Sequence, residues 1–155
     1  MSNKPQHILF VCTGNTCRSP MAEGIFQERF QKFSKYKVSS AGLHANPKSP
    51  ASQQTLQILD KRGVDFSDFR SQQLDVELVN EADYIFCMAQ HHKDSILLSV
   101  PDSKIKVYLL SELMDKSLSR DIFDPYGMDM KAYEEVETQL DEAISNILDF
   151  ISSDK

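Results

Sequence analysis

Cys12 and Arg18 are separated by five residues in a short segment that ends in Ser19 and Pro20. An ionised cysteine is a strong nucleophile, and the planar fork of an arginine can grip two oxygens of one phosphate group. The two residue types at this spacing therefore indicate phosphoryl transfer through a covalent bond to the Cys12 sulfur. A single cysteine at a strand end is more often a small core residue, so the elements around the pair must decide between the two interpretations.

The residues on either side predict a strand, a tight loop and a helix. The apolar run at residues 8–11 is typical of a buried strand, and Ser19 followed by proline predicts a helix start. Gly14 and Asn15 suit the positive φ angles of a curled loop. Because such a loop points N–H groups inward beside the positive end of a helix dipole, we expect it to bind a tetrahedral anion and to favour the Cys12 thiolate.

Asp124 is the best candidate for the acid that this chemistry needs. The leaving atom must be protonated, and the attacking sulfur cannot supply that proton. Asp124 lies in a long loop predicted over residues 111–130, where Pro125 fixes the backbone and Tyr126 offers an aromatic wall to a substrate. Asp-Pro is also a common turn start, and only the Cys12 loop makes the catalytic interpretation the stronger one.

The order of the elements predicts an α/β fold. Strands are predicted at residues 8–11, 36–41, 82–88 and 105–110, and the helices between and after them include ones that begin at Ser49-Pro50 and span residues 130–152. This alternation favours a four-stranded parallel sheet of order 2-1-3-4 with helices on both faces. The phosphate-binding loop would then follow an internal first strand, at the topological switch point where such sheets bind ligands.

Length, charge and cysteine content limit the classes of protein. The 155 residues fit a single domain spanning 1–155, and a net charge of −6 disfavours nucleic acid and anionic membranes as partners. Three cysteines, an odd number, argue against a disulfide framework and agree with a reducing compartment. No apolar run reaches the ~20 residues needed to span a bilayer, and residues 1–7 lack the apolar centre of a signal peptide. We therefore expect a cytoplasmic protein, as a monomer or a weak dimer.

Residues 12–23, CTGNTCRSPMAE, resemble the signature of the low-molecular-weight protein tyrosine phosphatases. The resemblance extends to residues 40–42 (SAG), to residues 82–88 (ADYIFCM) and to residues 124–127 (DPYG), and it covers nearly the whole chain. The family often carries a histidine followed by Ala-Arg where this chain reads FRSQ at residues 69–72.

This resemblance implies a phosphatase that acts on phosphorylated protein side chains, needs no metal or other cofactor, and releases inorganic phosphate. It implies catalytic roles for the nucleophile Cys12, the phosphate-binding Arg18 and the acid Asp124. The residues that it implies for binding phosphate or substrate are Thr13, Gly14, Asn15, Thr16, Cys17, Ser19 and Tyr126. Ser19 would hydrogen-bond the Cys12 sulfur, while Asn15 and Ser40 would brace the loop.

Thr16 bears on which phosphorylated side chain is the substrate. Phosphotyrosine members of the resembled family commonly have an apolar residue such as isoleucine here, which suits packing on a phenyl ring. A threonine resembles the branch that removes phosphate from protein arginine, and its hydroxyl leaves a polar wall that matches a guanidinium better than a ring. The sequence leaves both phosphotyrosine and phosphoarginine open as substrates and favours phosphoarginine. If Thr16 is only a β-branched loop residue, it does not distinguish between the two substrates.

Three other activities are open on the residues alone. Arsenate reductases share the fold and the loop but relay electrons through two further cysteines, and here only Cys87 remains, in an apolar strand. Zinc binding by Cys12, Cys17, Cys87 and His91 matches no common ligand spacing, and metal would silence the nucleophile. A binding module that does not cleave phosphate would not need both Cys12 and Asp124.

Two expectations concern residues beside the main motif. Cys17 lies within loop reach of Cys12, and oxidation that joins the two would protect the nucleophile from irreversible damage. The alternative, that Cys17 only packs, is nearly as strong. His91 and His92 are expected to cap or flank a surface helix.

Overall fold

A computed structural model describes residues 4–30, 32, 35–114 and 121–153. The strands are β1 Gln6–Cys12, β2 Tyr36–Gly42, β3 Tyr84–Cys87 and β4 Val107–Leu109. The α-helices are α1 Arg18–Phe30, α2 Gln53–Lys61, α3 Val76–Glu81, α4 Gln90–Ser99, α5 Met130–Ser145 and α6 Ile147–Ser153, and 3-10 helices at Pro101–Lys106 and Leu110–Leu113 flank β4. Within these described ranges, no helix is both long and apolar enough to cross a membrane.

The four strands form one parallel sheet of order β2-β1-β3-β4, which confirms the predicted topology. Successive side chains of a strand point to opposite faces, and both faces of β1 are apolar. Ile8 and Phe10 pack into a core with α1 and α5, whereas Leu9 and Val11 pack into a second core with α3 and α4. The sheet therefore carries helices on both faces, and Cys12 stands at the carboxyl end of a central strand.

Two helix starts differ from the prediction. Helix α1 begins at Arg18 rather than after a Ser19 cap, because the Ser19 hydroxyl is bonded to the Cys12 sulfur instead. Helix α2 begins at Gln53, and its N-cap is Ser52, whose hydroxyl accepts a hydrogen bond from the Thr55 N–H at 3.3 Å. Serines compete for the same capping role, and the local sequence does not tell them apart.

The carboxyl-terminal part of the fold also differs in detail. The helix predicted over residues 130–152 is broken at Asn146, whose side chain donates to the Leu113 carbonyl at 2.8 Å. Strand β4 is shorter than predicted, because residues 101–106 form a 3-10 helix before it. Residues 115–120 of the predicted long loop lie outside the described residues.

Candidate active site

A cavity of about 430 Å³ opens where β1 ends. Its lining comes from the loop after β1, from residues 44–49 and from residues 124–126: Cys12, Thr13, Gly14, Thr16, Cys17, Arg18, His44, Asn46, Ser49, Asp124 and Tyr126. All three predicted catalytic residues and five of the seven predicted binding residues thus line one cavity. Asn15 and Ser19 do not line it; both are fully buried and support the loop from behind.

The loop between β1 and α1 curls because one of its residues adopts a left-handed backbone conformation. Asn15 has φ +56°, as predicted, whereas Gly14 does not have positive φ, so that part of the prediction was wrong. The last residue of β2, Gly42, packs directly on this loop. A Cβ at Gly42 would lie 2.6 Å from the Thr13 carbonyl oxygen and 3.0 Å from the Asn15 nitrogen. Only glycine lets the loop backbone approach the sheet this closely.

Two hydrogen-bond donors converge on the sulfur of Cys12. Ser19 Oγ lies 2.9 Å from Cys12 Sγ, and the Asn15 N–H points at the same sulfur at 3.3 Å. Because the Asn15 side-chain amide donates to Ser19 Oγ at 2.8 Å, the Ser19 hydroxyl hydrogen is available to the sulfur. Donors that point at a sulfur stabilise its ionised form. The expected contact between Ser19 and Cys12 is present.

The Asn15 side chain is held by groups from two further segments. Its amide nitrogen donates to Ser40 Oγ at 2.9 Å, which is the brace expected from β2. Its oxygen accepts the Gln72 N–H at 2.9 Å, and Gln72 Nε2 in turn donates to the Ser40 carbonyl at 2.9 Å. Sequence reasoning missed Gln72, which lies in the segment that departs from the resembled family. Nothing in the local sequence signals this contact, because it joins residues far apart in the chain.

Glu23 is a second residue that sequence reasoning missed. The Ser40 hydroxyl donates to Glu23 Oε1 at 2.7 Å, so the hydrogen-bonded path from Cys12 runs through Ser19, Asn15 and Ser40 to this carboxyl. Burial raises the pKa of Glu23 to about 7, although the Ser40 hydrogen bond opposes that shift. The sequence signal that could have identified Glu23 is an acidic residue on the inward face of a helix.

Glu23→Gln is expected to flatten the pH dependence of stability. With a pKa of about 7 when folded and an ordinary value of 4.5, Glu23 holds an extra proton in the folded state between these two pH values. The free energy of unfolding of the wild type then falls by up to about 3 kcal/mol as pH rises through this window. Glutamine keeps the shape and an acceptor for Ser40 but has no proton to lose. Urea unfolding across the window measures the difference.

The exposed Glu77→Gln on α3 is the matched control for this experiment, since it removes one carboxyl without touching the buried path. A Glu23→Gln variant whose stability followed the same pH profile as Glu77→Gln would contradict the assignment.

Arg18 and Asp124 meet over the cavity. Arg18 is 4% exposed, and its Nη1 donates to the Ile122 carbonyl at 3.1 Å, which fixes the guanidinium. Its Nη2 lies 3.7 Å from Asp124 Oδ2, and the Asp124 side chain is 56% exposed. The other carboxylate oxygen accepts the Tyr126 N–H at 3.1 Å. The predicted phosphate binder and the predicted acid therefore face the same space.

His92 supports the loop from the opposite side and also provides the helix cap that the sequence predicts. His91 is exposed, whereas His92 is fully buried at the start of α4. Its Nδ1 accepts the Ala89 N–H at 3.1 Å, which does cap the start of α4, and its Nε2 lies 2.9 Å from Thr13 Oγ1. Burial lowers the pKa of His92 to about 3, and the Arg18 charge adds to this effect. The ring is therefore neutral.

The two other cysteines, Cys17 and Cys87, are both buried. Cys87 is fully buried, and burial raises the pKa of its thiol, so it is poorly suited to the electron relay of an arsenate reductase. In the part of the chain that is described, no group of three or more His, Cys, Asp or Glu side chains is placed to hold a metal ion. Cys17 Sγ lies 3.1 Å from the Tyr133 hydroxyl, and its bond to Cys12 under oxidation stays a prediction.

Comparison with known proteins places these features in context. Residues 7–155 match the family described as low molecular weight phosphotyrosine protein phosphatase. A protein-arginine-phosphatase of Geobacillus stearothermophilus is 32% identical over 151 residues, which cover 97% of this chain and 99% of the relative. The crystal structure of a low molecular weight protein tyrosine phosphatase from T. tengcongensis is 38% identical, with a TM-score of 0.85 over 93% of this chain and 98% of that one. A cysteine-to-serine mutant of the YwlE arginine phosphatase, with its active-site serine phosphorylated, is 30% identical, with a TM-score of 0.87 over 97% of this chain and 98% of that one.

Proposed function

This chain belongs to the low molecular weight phosphotyrosine protein phosphatase family, and we propose that it removes phosphate from arginine side chains of proteins. Family membership makes it a cysteine-based protein phosphatase, so the proposal concerns the residue roles and the substrate. The observation that carries the substrate choice is the polar wall around the phosphate-binding loop. Thr16 stands where an apolar side chain would pack on a phenyl ring, and His44, Asn46 and Ser49 line the cavity with it.

The first step that we propose is attack by the Cys12 sulfur on phosphorus. The backbone N–H groups of residues 13–18 and the Arg18 side chain hold the phosphate oxygens and stabilise the charge that develops on them. As the S–P bond forms, the P–N bond of phosphoarginine breaks, and the Asp124 carboxyl gives its proton to the leaving nitrogen. Arginine leaves as a guanidinium cation beside the Asp124 carboxylate, with which its charge is complementary.

The second step is hydrolysis of the phosphorylated cysteine. The Asp124 carboxylate takes a proton from a water molecule, the water oxygen attacks phosphorus, and the S–P bond breaks. Inorganic phosphate and the Cys12 thiolate are released, and Asp124 is again protonated. The phosphorylated active-site serine of the YwlE mutant supports a covalent intermediate on the residue at this position. The hydrogen bonds of Ser19 and Asn15 to the sulfur support its role as a leaving group in this step.

The relatives support the chemistry, but their names divide between the two substrates. The Geobacillus stearothermophilus relative is named for phosphoarginine, and it matches this chain over nearly the whole length of both proteins. The T. tengcongensis relative is named for phosphotyrosine at a similar coverage. The overall resemblance therefore does not decide between the two substrates, and the proposal depends on the residues of the cavity wall.

Thr16→Ile is expected to lower the ratio of phosphoarginine to phosphotyrosine hydrolysis by roughly 10-fold or more, the discrimination that one wall residue typically gives. Isoleucine removes the hydroxyl beside the guanidinium and provides an apolar surface for a phenyl ring. Two peptides of one sequence, phosphorylated on arginine or on tyrosine, are compared by kcat/KM.

Thr138→Ile serves as the control for this substitution, because Thr138 is exposed on α5 and bonds only within its own helix. A wild type that prefers phosphotyrosine would overturn the proposed substrate. If Thr16→Ile leaves the ratio of phosphoarginine to phosphotyrosine hydrolysis unchanged, Thr16 does not determine the substrate.

We also infer where and in what form the enzyme works. A thiolate nucleophile needs a reducing compartment, and the three cysteines are free thiols, which supports a cytoplasmic location. The substrate approaches one open cavity formed within a single chain, which is compatible with activity as a monomer or a weak dimer. Sedimentation of the active protein over a range of concentrations tests the oligomeric state.

A further inference from the structure

We propose that Thr13 and His92 form a second specificity element, in which the buried ring positions the Thr13 hydroxyl to accept a hydrogen bond from the guanidinium of the substrate. The inference rests on the proposed function, because it assumes a phosphoarginine in the cavity. Thr13 directly follows the nucleophile and lines the cavity with Thr16. His92 comes from α4, on the other side of the loop, and belongs to no motif identified in the sequence.

The hydrogen bonds of His92 fix its tautomer. The Ala89 N–H can only donate, so Nδ1 at 3.1 Å must be the acceptor and carries no hydrogen. In a neutral ring the hydrogen is then on Nε2, which donates to Thr13 Oγ1 at 2.9 Å. This leaves Thr13 with one lone pair and its own hydroxyl hydrogen for other partners.

The ring stays neutral because of its surroundings. Burial is the main cause that lowers the pKa of His92 to about 3, and the positive Arg18 together with His91 and His44 acts in the same direction. A neutral donor behind the loop fixes the threonine without adding a cation beside the substrate. Since a guanidinium is itself a cation, a charged ring at this place would oppose its binding.

The chemistry of the two substrates differs at the atoms next to the phosphate. A guanidinium carries only N–H donors there and needs acceptors, which the remaining lone pair of Thr13 and the carbonyl oxygen of the Asp124 carboxyl group supply from the cavity lining. The phenyl ring of phosphotyrosine offers no such donors. A correctly oriented Thr13 hydroxyl therefore favours phosphoarginine over phosphotyrosine.

The test uses the full-length enzyme with Thr13→Val, which keeps the side-chain shape and removes the hydroxyl. We expect the ratio of kcat/KM for phosphoarginine and phosphotyrosine peptides to fall roughly tenfold, the worth of one hydrogen bond. Thr13→Ser keeps the hydroxyl and is expected to restore the ratio. His92→Phe is expected to lower the ratio similarly, and the double variant Thr13→Val/His92→Phe to lower it no further, because the two residues act as one unit.

A merely structural role gives a different result. An equal loss on both substrates, or an unchanged ratio in Thr13→Val, overturns the proposal, as does a Thr13→Ser variant that behaves like Thr13→Val. Nitrogen NMR of His92 is expected to show the hydrogen on Nε2, and a hydrogen on Nδ1 would also overturn it. Where His92→Phe does not fold, the comparison of Thr13→Val with Thr13→Ser decides alone. A wild type that prefers phosphotyrosine would overturn the proposed function. The proposal for Thr13 and His92 is tested separately, by the change that their variants cause in the ratio of phosphoarginine to phosphotyrosine hydrolysis.

Discussion

Replacing Cys12 with serine is expected to reduce the turnover of phosphoarginine and aryl phosphates by ~10⁴-fold or more, because a hydroxyl is not ionised at neutral pH. Serine is close to cysteine in size, and Ser19 and Asn15 can still donate to its oxygen. The fold and the phosphate-binding loop are therefore expected to persist. Initial rates with a peptide substrate and with an aryl phosphate, together with the affinity for inorganic phosphate, measure both parts of this expectation.

The buried Cys87→Ala is the matched control for the nucleophile, since it removes a thiol from β3 outside the cavity. It is expected to lower stability and to keep turnover. Turnover near the wild-type rate in Cys12→Ser would contradict the assignment of the nucleophile, and loss of phosphate binding would show that the substitution had disturbed the loop instead.

Asp124→Asn is expected to lower kcat by about 10²–10⁴-fold, the usual contribution of a general acid or base. The amide keeps the shape of the side chain and an acceptor for the Tyr126 N–H but cannot give up a proton to the leaving group. In kcat/KM, which reports the first step and not the later hydrolysis, the loss should be largest for leaving groups that are poor without a proton and small for good ones such as a nitrophenol. Rates across a series of aryl phosphates with graded leaving groups therefore measure the role directly.

The control for Asp124 is Asp121→Asn, three residues earlier, whose carboxylate accepts the Gln90 N–H at 3.0 Å. This variant alters the support of α4 and leaves the acid in place, so the dependence on the leaving group should match the wild type. A loss of kcat/KM that is uniform across the series in Asp124→Asn would contradict the role of Asp124 as the acid.

The main features of the fold were predictable because they follow from short-range patterns. The run of apolar residues at 8–11 is typical of a buried strand, and alternating strands and helices allow few topologies. This reasoning placed Cys12 at the carboxyl end of a central strand, with Arg18 at the far end of the loop that follows. The motif that resembles the family identified Asp124 as the acid, and the structure brings it to the same cavity.

The supports of the loop were not predictable in the same way. Gln72, Glu23 and His92 reach it from three different segments, and each is defined by contacts between residues that are far apart in sequence. Local signals were also ambiguous where two residues of one type compete. Ser52 rather than Ser49 caps α2, and Asn15 rather than Gly14 adopts the left-handed conformation.

Gly42 sets a practical limit on redesign of this enzyme. The position carries no reactive atom. The Cβ of any side chain there would nevertheless lie 2.6 Å from the Thr13 carbonyl oxygen and displace the loop between β1 and α1. Libraries that aim to change substrate choice should therefore vary the rim at residues 44–49 and hold this strand end constant. Backbone spacing, rather than the chemistry of the pocket, decides which positions can be mutated freely.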